Sequence, residues 1–323
     1  MINQIFKTGE VPNMLKRGLL TPIFKNKGSK KVSTYYRGIT ILPVMNKIIE
    51  ATIKLRINTT ILDNQNPAQR GFTAKTSPLN AAFIIEELKR EAKDNNNELF
   101  IVLLDARSVF DVVNTDHLLR RLYQIGINDK TWNIIHSLHD NAVSAVKWNG
   151  IISEFFNISE GVRQGAILNA DLYKVYVNPL LERLNRVGVG ARIGDITCNT
   201  TACADDVTLN TTDFNDAQVL LTIAEDFASQ ERYQLQPTKT NTIQVKFSQR
   251  KQSDKIKQSL QMKSDDIPNV TEATHIGLQQ TCNFKKSGEI NVDNNIKKAR
   301  RATYSLMSSG FHGHNGLDPE TTL

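Results

Sequence analysis

Apolar runs bounded by polar and turn residues divide the chain into predicted strands and helices. The run from Leu99 to Leu104 has the length and continuity of a strand that is buried on both faces. Two other runs, Thr197 to Ala202 and Val207 to Thr211, flank the tetrapeptide Cys203-Ala204-Asp205-Asp206. They predict a β-hairpin that carries two adjacent acids at its tip. A further strand is predicted from Thr242 to Phe247.

Apolar positions at helical spacing predict five helices. Ser77 followed by Pro78 is a helix start signal, because proline at the first helical position loses no hydrogen bond. The other four helices are predicted over residues 118–125, 131–138, 171–184 and 217–230. Pro179 is expected to kink the helix predicted over residues 171–184 or to mark a boundary. Strands and helices that follow no regular alternation predict an α+β fold rather than a doubly wound parallel sheet.

Length and composition narrow the class of protein. The 323 residues suffice for a large core in one multi-lobed domain. No apolar run reaches the roughly 18 residues that a membrane helix requires, and the first twenty residues lack the apolar segment of a signal peptide. Three cysteines without a Cys-x-x-Cys pair fit a reducing compartment. We therefore expect an intracellular protein, in nucleus or cytoplasm, that does not associate with membranes.

Positive charge is concentrated in two segments. Residues 1–60 hold eleven Lys and Arg residues against Glu10 and Glu50, although the net charge of the whole chain is +7. Such a segment favours contact with a phosphate backbone, and a solvated basic surface is the alternative. The later cluster has the same two interpretations, a grip on duplex phosphates or a patch like a nuclear localisation signal, and consists of Lys297, Lys298, Arg300 and Arg301.

Three acids form the candidate catalytic chemistry. Asp105 directly follows the predicted buried strand, and Asp205 and Asp206 lie at the tip of the predicted hairpin. Adjacent acids repel each other unless a cation neutralises them, and three carboxylates match the ligand needs of two Mg²⁺ ions about 3.5 to 4 Å apart. An ordinary acidic turn and a capping aspartate are the structural alternatives.

Several further segments occur in a fixed order along the chain. Residues 20–25 with 35–43 match the first fingers motif, and residues 69–72 match the next fingers block. Residues 104–111, 161–168, 203–206 and 235–240 match motifs A, B, C and D in that order. Residues 275–278 match the primer-grip motif. This series resembles the motifs of reverse transcriptases of the non-LTR retrotransposon type. The resemblance extends from about residue 10 to about residue 315.

The resemblance implies a right-hand polymerase fold. Fingers and palm would occupy residues 1–283, with the fingers at about 1–100 and 126–160 and the palm at about 101–125 and 161–283. The palm would contain an antiparallel sheet. Residues 284–323 would begin a helical thumb that is truncated.

The resemblance also assigns the metal ligands. It makes Asp105 and Asp205 ligands that bridge two Mg²⁺ ions, with Mn²⁺ as the alternative metal, and Asp206 the weaker third acid. Lys239 in the motif D match would protonate the leaving pyrophosphate, although a lone lysine is more often only solvated.

The nucleotide-binding residues are likewise implied. Lys25 and Arg37 would clamp the triphosphate, a task suited to a point charge and a bidentate fork. Phe110 would lie beneath the incoming sugar and exclude a 2′-hydroxyl, with a plain core residue as the alternative. Gln164 lies in a glycine-containing turn that permits close backbone approach to the nascent base pair. Asp111, beside Phe110, leaves an RNA-polymerase interpretation open.

The implied function is RNA-directed DNA synthesis, with an RNA template, a DNA primer and dNTPs as partners and the oligomeric state left open. Some positions depart from the family pattern, among them Cys203, where an aromatic residue is usual, and Gly38, where proline is frequent. They favour one alternative, a catalytically inactive remnant that binds nucleic acid through its basic surface. An RNA-directed RNA polymerase or an intron maturase is the other.

Overall fold

The computed structural model describes residues 1–26, 28–247 and 259–310. In these ranges the chain forms eight α-helices and two short 3₁₀ turns. The helices are α1 (Ile2–Thr8), α2 (Val44–Asn64), α3 (Pro78–Asp94), α4 (Thr115–Gln124), α5 (Asp129–His139), α6 (Asn169–Arg186), α7 (Phe214–Gln230) and α8 (Phe284–Ser308). No helix in the described ranges has the length and apolarity needed to cross a membrane.

Strands of the described ranges form two larger sheets and three small hairpins. The strands are β1 (Arg17–Phe24), β2 (Tyr36–Ile41), β3 (Leu99–Leu104), β4 (Val143–Trp148), β5 (Ile151–Ile152), β6 (Phe156–Asn157), β7 (Arg192–Ile193), β8 (Ile196–Thr197), β9 (Thr200–Cys203), β10 (Asp206–Thr211), β11 (Asn241–Val245), β12 (Gln261–Met262), β13 (Asp265–Asp266), β14 (Glu272–His275) and β15 (Leu278–Thr281). The central sheet has the order β11-β3-β10-β9, and the outer sheet has the order β2-β1-β4-β5 with β6 also paired to β4.

Strand β3 lies inside the central sheet and is buried along its whole length. Its side chains alternate between two apolar clusters, with Val102 and Leu104 in the larger one and Ile101 and Leu103 in the smaller. A strand covered on both faces needs apolar residues at every position. The predicted strand from Leu99 to Leu104 is therefore confirmed at both ends.

The hairpin β9–β10 is confirmed, but its first strand is shorter than predicted. Residues 196–197 pair instead with β7 in a separate small hairpin. Just before β9 the Asn199 side chain donates to the carbonyl oxygens of Leu184 and Val189 at 2.6 and 3.1 Å, while its backbone carbonyl oxygen accepts from the Asn210 N–H of β10 at 2.8 Å.

Helix predictions agree with the structure, with one correction. Helix α3 begins at Pro78, and the Ser77 backbone N–H donates to the Asn80 side-chain oxygen at 2.7 Å. Helix α6 runs through Pro179, so the predicted boundary there is wrong. Buried residues on both sides of the proline, Tyr176 and Leu180, keep the helix packed against the core.

These sheets and helices confirm the α+β class. All pairs in the central sheet are antiparallel, and helices cover the sheet instead of alternating with parallel strands. The division into fingers, palm and thumb stays a prediction, and residues 311–323 of the expected thumb lie outside the described residues.

Candidate active site

Asp105 is held at the end of β3 by contacts from the segment before β11. Its backbone N–H donates to the Thr240 hydroxyl at 3.2 Å, and its carbonyl oxygen accepts from the Gln236 N–H at 2.8 Å. Side-chain atom Oδ2 of Asp105 is buried and has no hydrogen-bond partner. A buried carboxylate oxygen without a donor is costly, so this position is suited to a cation.

The tight turn between β9 and β10 presents the other two acids. Cys203 pairs with Asp206, and Ala204 adopts a left-handed φ of 60°. The last pair between β10 and β3 joins Val207 to Leu104. Asp206 and Asp105 are therefore the next residues across these two strands, and antiparallel register brings together carboxylates that are a hundred residues apart in sequence.

A segment from residues 69 to 71 supports this turn from outside the sheet. The Gln69 side chain accepts from the Ala204 N–H at 2.8 Å and donates to its carbonyl oxygen at 3.3 Å. A Cβ atom at Gly71 would lie 2.3 Å from the Ala204 backbone nitrogen, so only glycine fits there. Residues 69–71, which the sequence identified only by motif resemblance, thus fix the conformation of the acidic turn.

Electrostatic coupling ties the three acids together. The pKa of Asp206 is raised to about 6, first by loss of solvation and then by the charges of Asp205 and Asp105. The pKa of Asp205 is also raised, chiefly by loss of solvation and further by Asp105, while its own backbone N–H and the guanidinium of Arg37 lower it. The side chains of Asp205 and Asp206 remain exposed to solvent at the rim.

The donor set fits divalent cations. Three carboxylates offer hard oxygen ligands, and each of the raised pKa values falls when a positive charge arrives. Across the residues described, no group of three or more His, Cys, Asp or Glu side chains is already closed around one point.

Phe110 lies beside the acids and packs on helix α6. Its ring centre is 4.4 Å from that of Tyr173, at an interplanar angle of 37°. Burial raises the pKa of the Tyr173 phenol well above its ordinary value, and the charges of Tyr233 and Asp205 add to this. Phe110 is half-buried and packs against the larger apolar cluster.

The turn before α6 is fastened by two glycines in left-handed conformations. Gly161 has φ 91°, and a Cβ there would lie 2.6 Å from the Asp111 carbonyl oxygen. Gly165 has φ 107°, and a Cβ there would lie 2.5 Å from the Thr40 carbonyl oxygen. Both close approaches exclude side chains, so the turn that carries Gln164 is pressed between the Asp111 segment and β2.

The structure brings together most of the predicted nucleotide-binding residues. The Gln164 amide donates to the Asp111 carboxylate at 3.3 Å. Loss of solvation raises the pKa of Asp111, whereas the Gln164 hydrogen bond and the charge of Lys25 lower it. Arg37 is exposed and close enough to lower the pKa of Asp205. Asp111 is thus the link between these residues, a role that its position next to Phe110 in sequence did not indicate.

Glu50 of α2 is a second residue whose role the sequence did not indicate, since it entered only the charge balance of residues 1–60. It is buried, and its carboxylate accepts from the Ile167 N–H at 2.5 Å. Loss of solvation raises its pKa, while hydrogen bonds from the backbone of Ile167 and Leu168 and the charge of Arg163 lower it. Glu50 therefore supplies acceptors for N–H groups at the start of α6, where no side chain of the helix itself does so.

Two predicted groups lie apart from this cluster. Lys239 is exposed, and within the described ranges its amino group has no hydrogen-bond partner. The basic cluster lies on α8 with every member exposed, and it consists of Lys297, Lys298, Arg300 and Arg301. No contact within the described part of the chain joins either group to the acids.

Comparison with known proteins identifies relatives of this chain. Residues 25–279 match the family model "Reverse transcriptase (RNA-dependent DNA polymerase)". The "Retrovirus-related Pol polyprotein from type-2 retrotransposable element R2DM" of Drosophila melanogaster is 25% identical over 294 residues, covering 90% of this chain and 27% of that protein. The "Transposon TX1 uncharacterized 149 kDa protein" of Xenopus laevis is 25% identical over 220 residues, covering 68% and 17%. The chain thus spans about a quarter or less of the length of these relatives.

Solved structures share the fold. Apo telomerase from Candida tropicalis, truncated from its C-terminal domain, superposes with a TM-score of 0.57 at 14% identity and covers 87% of this chain and 57% of that one. At this identity the likeness concerns the fold alone. It agrees with the right-hand polymerase fold expected from the motifs.

Proposed function

The chain belongs to the reverse transcriptase (RNA-dependent DNA polymerase) family, and on that basis we propose that it extends a DNA primer with dNTPs on an RNA template. The relatives in non-LTR retrotransposons support this assignment. The observation that carries the proposal is the meeting of Asp105 with Asp205 and Asp206 at adjacent strand ends, with a buried Asp105 oxygen that has no donor.

In this proposal the three acids hold two Mg²⁺ ions, or Mn²⁺. Bound there, the ions would lower the pKa of the primer 3′-hydroxyl and offset negative charge on the transferred phosphate. The protein's contribution is to hold the ligands before substrate arrives. The bonds from Asp105 to Thr240 and Gln236, and those from Gln69 to the acidic turn, support such preorganisation.

Lys25 and Arg37 bind the triphosphate in the same proposal. Both lie on the side of the acids, as their electrostatic effects on Asp111 and Asp205 indicate. A lysine supplies a point charge and an arginine supplies a planar fork, and together they suit a flexible polyanion. Among the described residues neither Lys25 nor Arg37 forms an ion pair, and the Lys25 amino group donates to the Thr34 carbonyl oxygen at 3.0 Å.

Phe110 and Gln164 select and position the incoming nucleotide. The Phe110 ring is kept in place by Tyr173 and would exclude a 2′-hydroxyl by its bulk. Gln164 is oriented by its hydrogen bond to Asp111. Lys239 would act as the general acid for pyrophosphate, and the basic residues of α8 would bind duplex phosphates.

The domain division remains part of the proposal. Fingers would contain the outer sheet, palm the central sheet, and α8 would begin the thumb. RNA template binding follows from the family. A nuclear or cytoplasmic location, expected from the cysteines, is likewise part of the proposal.

The test is extension of oligo(dT) on poly(A) with dTTP and Mg²⁺. Asp205→Asn should abolish extension while leaving the protein folded. Asp63→Asn is the matched control, because Asp63 is exposed on α2 and carries the same change of charge. Equal extension by the parent protein and Asp205→Asn would overturn catalysis at this site.

An inactive nucleic-acid-binding module is the second candidate. Cys203 favours it, since this half-buried thiol stands at the acidic turn where the family usually has an aromatic residue. This candidate predicts salt-dependent binding of primer-template without any extended product. Template-dependent extension by the parent protein would exclude it, and a preference for rNTPs would instead indicate an RNA polymerase.

A further inference from the structure

The tip of the outer sheet carries a row of aromatic rings that the proposed polymerase chemistry does not use. The ring centres of Phe24 and Tyr36 are 5.3 Å apart. Those of Tyr36 and Trp148 are 5.4 Å apart, at an interplanar angle of 78°. The three rings come from three adjacent strands, β1, β2 and β4, so they form one continuous aromatic row across the sheet.

Trp148 ends the row and faces solvent. It pairs with Ile151 across a two-residue turn at Asn149 and Gly150, whose φ values of 48° and 82° are those of a tight hairpin. The indole is 46% exposed, and Ile151 beside it is 74% exposed. The tight hairpin keeps Trp148 exposed to solvent. Burial of an indole is normally favourable, so this exposure is unusual.

The surroundings of the row are strongly basic. Between Glu10 and Glu50 the sequence has eight Lys or Arg residues and no acid. The Lys30 ammonium lies 5.7 Å from the Phe24 ring centre, and the Tyr36 hydroxyl donates to the Lys30 carbonyl oxygen at 2.9 Å. Glu154 follows β5 and is the acid near this hairpin in sequence.

The row lies on the face of the sheet opposite to the proposed triphosphate contact. Tyr36 and Arg37 are consecutive residues of β2, and successive side chains of a strand point to opposite faces. Arg37 is the residue that acts on Asp205. The aromatic row is therefore a separate surface and not an extension of the candidate active site.

We propose that this aromatic row is a binding platform for single-stranded nucleic acid. A base stacks on the Trp148 indole while Lys30 contacts a flanking phosphate. Exposed aromatic faces beside a positive charge provide the two interactions that bind single strands without sequence preference. A protein partner or a second copy of this basic chain would gain little from Lys30, so charge favours a polyanion.

Intrinsic fluorescence gives a direct test, because Trp132 and Trp148 are the two tryptophans of the sequence. Trp132→Phe leaves Trp148 as the single reporter and keeps a ring stacked on His136. Titration with oligo(U) or oligo(dT) should quench Trp148 over the same concentrations at which fluorescence anisotropy of labelled oligonucleotide rises. The two oligonucleotides distinguish RNA from DNA, and a blunt duplex should quench less.

Substitution provides the second readout. Trp148→Ala should weaken oligonucleotide binding by about tenfold, within the range of one lost stacking contact, whereas Trp148→Tyr should restore most of it. Leu55→Ala is the control, since Leu55 is an apolar residue of α2 that is 82% exposed. If circular dichroism shows that Trp148→Ala does not fold, quenching of Trp148 in the Trp132→Phe protein decides whether nucleic acid binds at the aromatic row.

Two results would overturn the proposal. One is Trp148 emission that stays constant while anisotropy reports bound oligonucleotide. The other is emission that changes with protein concentration alone, which would make the row an interface between copies. Neither measurement requires catalysis, so failure here is distinct from failure of the extension assay.

Discussion

At the scale of single residues, local charge and ring packing define what the candidate site can do. Asp206 lies at the rim and has a raised pKa, first because of lost solvation and then because of the charges of Asp205 and Asp105. Phe110 is held by one ring contact and by the core below it. Asp111 links Gln164 and Lys25 through its charge.

Substitution of Phe110 tests nucleotide selection. Phe110→Val should open space for a 2′-hydroxyl while the acids stay in place, and we expect rNTP use relative to dNTP use to rise by at least about tenfold, or about 1.4 kcal/mol. Single-nucleotide extension with each substrate measures the ratio. Phe83→Val, on an exposed part of α3, should leave the ratio unchanged. An active Phe110→Val enzyme with an unmoved ratio would make Phe110 a core residue only.

The raised pKa of Asp206 predicts a pH-dependent stability in EDTA. The folded pKa is about 6 against an ordinary value of 3.8. A carboxyl whose pKa is higher in the folded state favours folding fully below the ordinary value, and that contribution is lost as pH rises through about 6. Asp206→Asn should therefore be more stable than the parent above pH 6, by no more than about 1 kcal/mol because the side chain is exposed.

Urea unfolding at several pH values measures this difference. Asp63→Asn, away from the cluster, should show no such gain. A stability difference that does not change across pH 4 to 7, on either side of the folded pKa of about 6, would contradict the coupling among the acids.

At the scale of elements, the active-site geometry depends on contacts between segments that are distant in sequence. Residues 69–71 hold the acidic turn through Gln69 and through close approach at Gly71. Glu50 of α2 holds the start of α6. These supports come from Gln69, Gly71 and Glu50, so each can be removed without altering one of the three candidate acids.

Gly71→Ala tests the support of the acidic turn. The new Cβ would lie 2.3 Å from the Ala204 nitrogen and 2.9 Å from the Cys203 carbonyl carbon, and backbone atoms cannot yield as a flexible side chain can. We expect extension activity to fall by more than about tenfold because the acids are displaced. Thermal unfolding should confirm that the variant is folded.

Gly288→Ala is the matched control for this change. A Cβ at Gly288 in α8 meets no atom within 4 Å, and alanine favours a helix over glycine by about 0.5 to 1 kcal/mol. That variant should retain activity and gain slight stability. If Gly71→Ala were as active as Gly288→Ala, the turn would not need this support.

At the scale of the whole molecule, charge is divided between an acidic centre and basic surfaces. By helical spacing Lys297, Lys298 and Arg301 lie on the side of α8 away from Val292, Ile296 and Met307, and Arg300 lies next to the apolar side. Binding strength should accordingly depend on salt throughout.

Salt dependence tests the role of α8. Arg300→Ala combined with Arg301→Ala should weaken primer-template binding and reduce the slope of log affinity against log salt by about 1 to 2, since each lost phosphate contact lowers the slope by about 0.9. Lys130→Ala combined with Arg186→Ala removes the same charge from α5 and α6. Equal slopes for both double variants would show that α8 acts only through net charge.

The sequence by itself determined those features that depend on local pattern. Continuous apolar residues specify β3, Ser77 and Pro78 specify the start of α3, and the order of motifs identifies the three acids. Such features rest on neighbouring residues, for which side-chain periodicity and capping chemistry suffice. Of the kink or boundary expected at Pro179, the boundary is wrong, because packing around α6 outweighs local propensity.

Only the tertiary structure decided how these parts meet. Antiparallel register sets Asp206 beside Asp105, and loss of solvation together with the charges of Asp205 and Asp105 raises the pKa of Asp206 to about 6. The contact of Gly71 with the acidic turn and the bond from Glu50 to Ile167 join positions more than a hundred residues apart. Burial, distance and mutual charge are properties of the folded arrangement, and no pattern of neighbouring residues contains them.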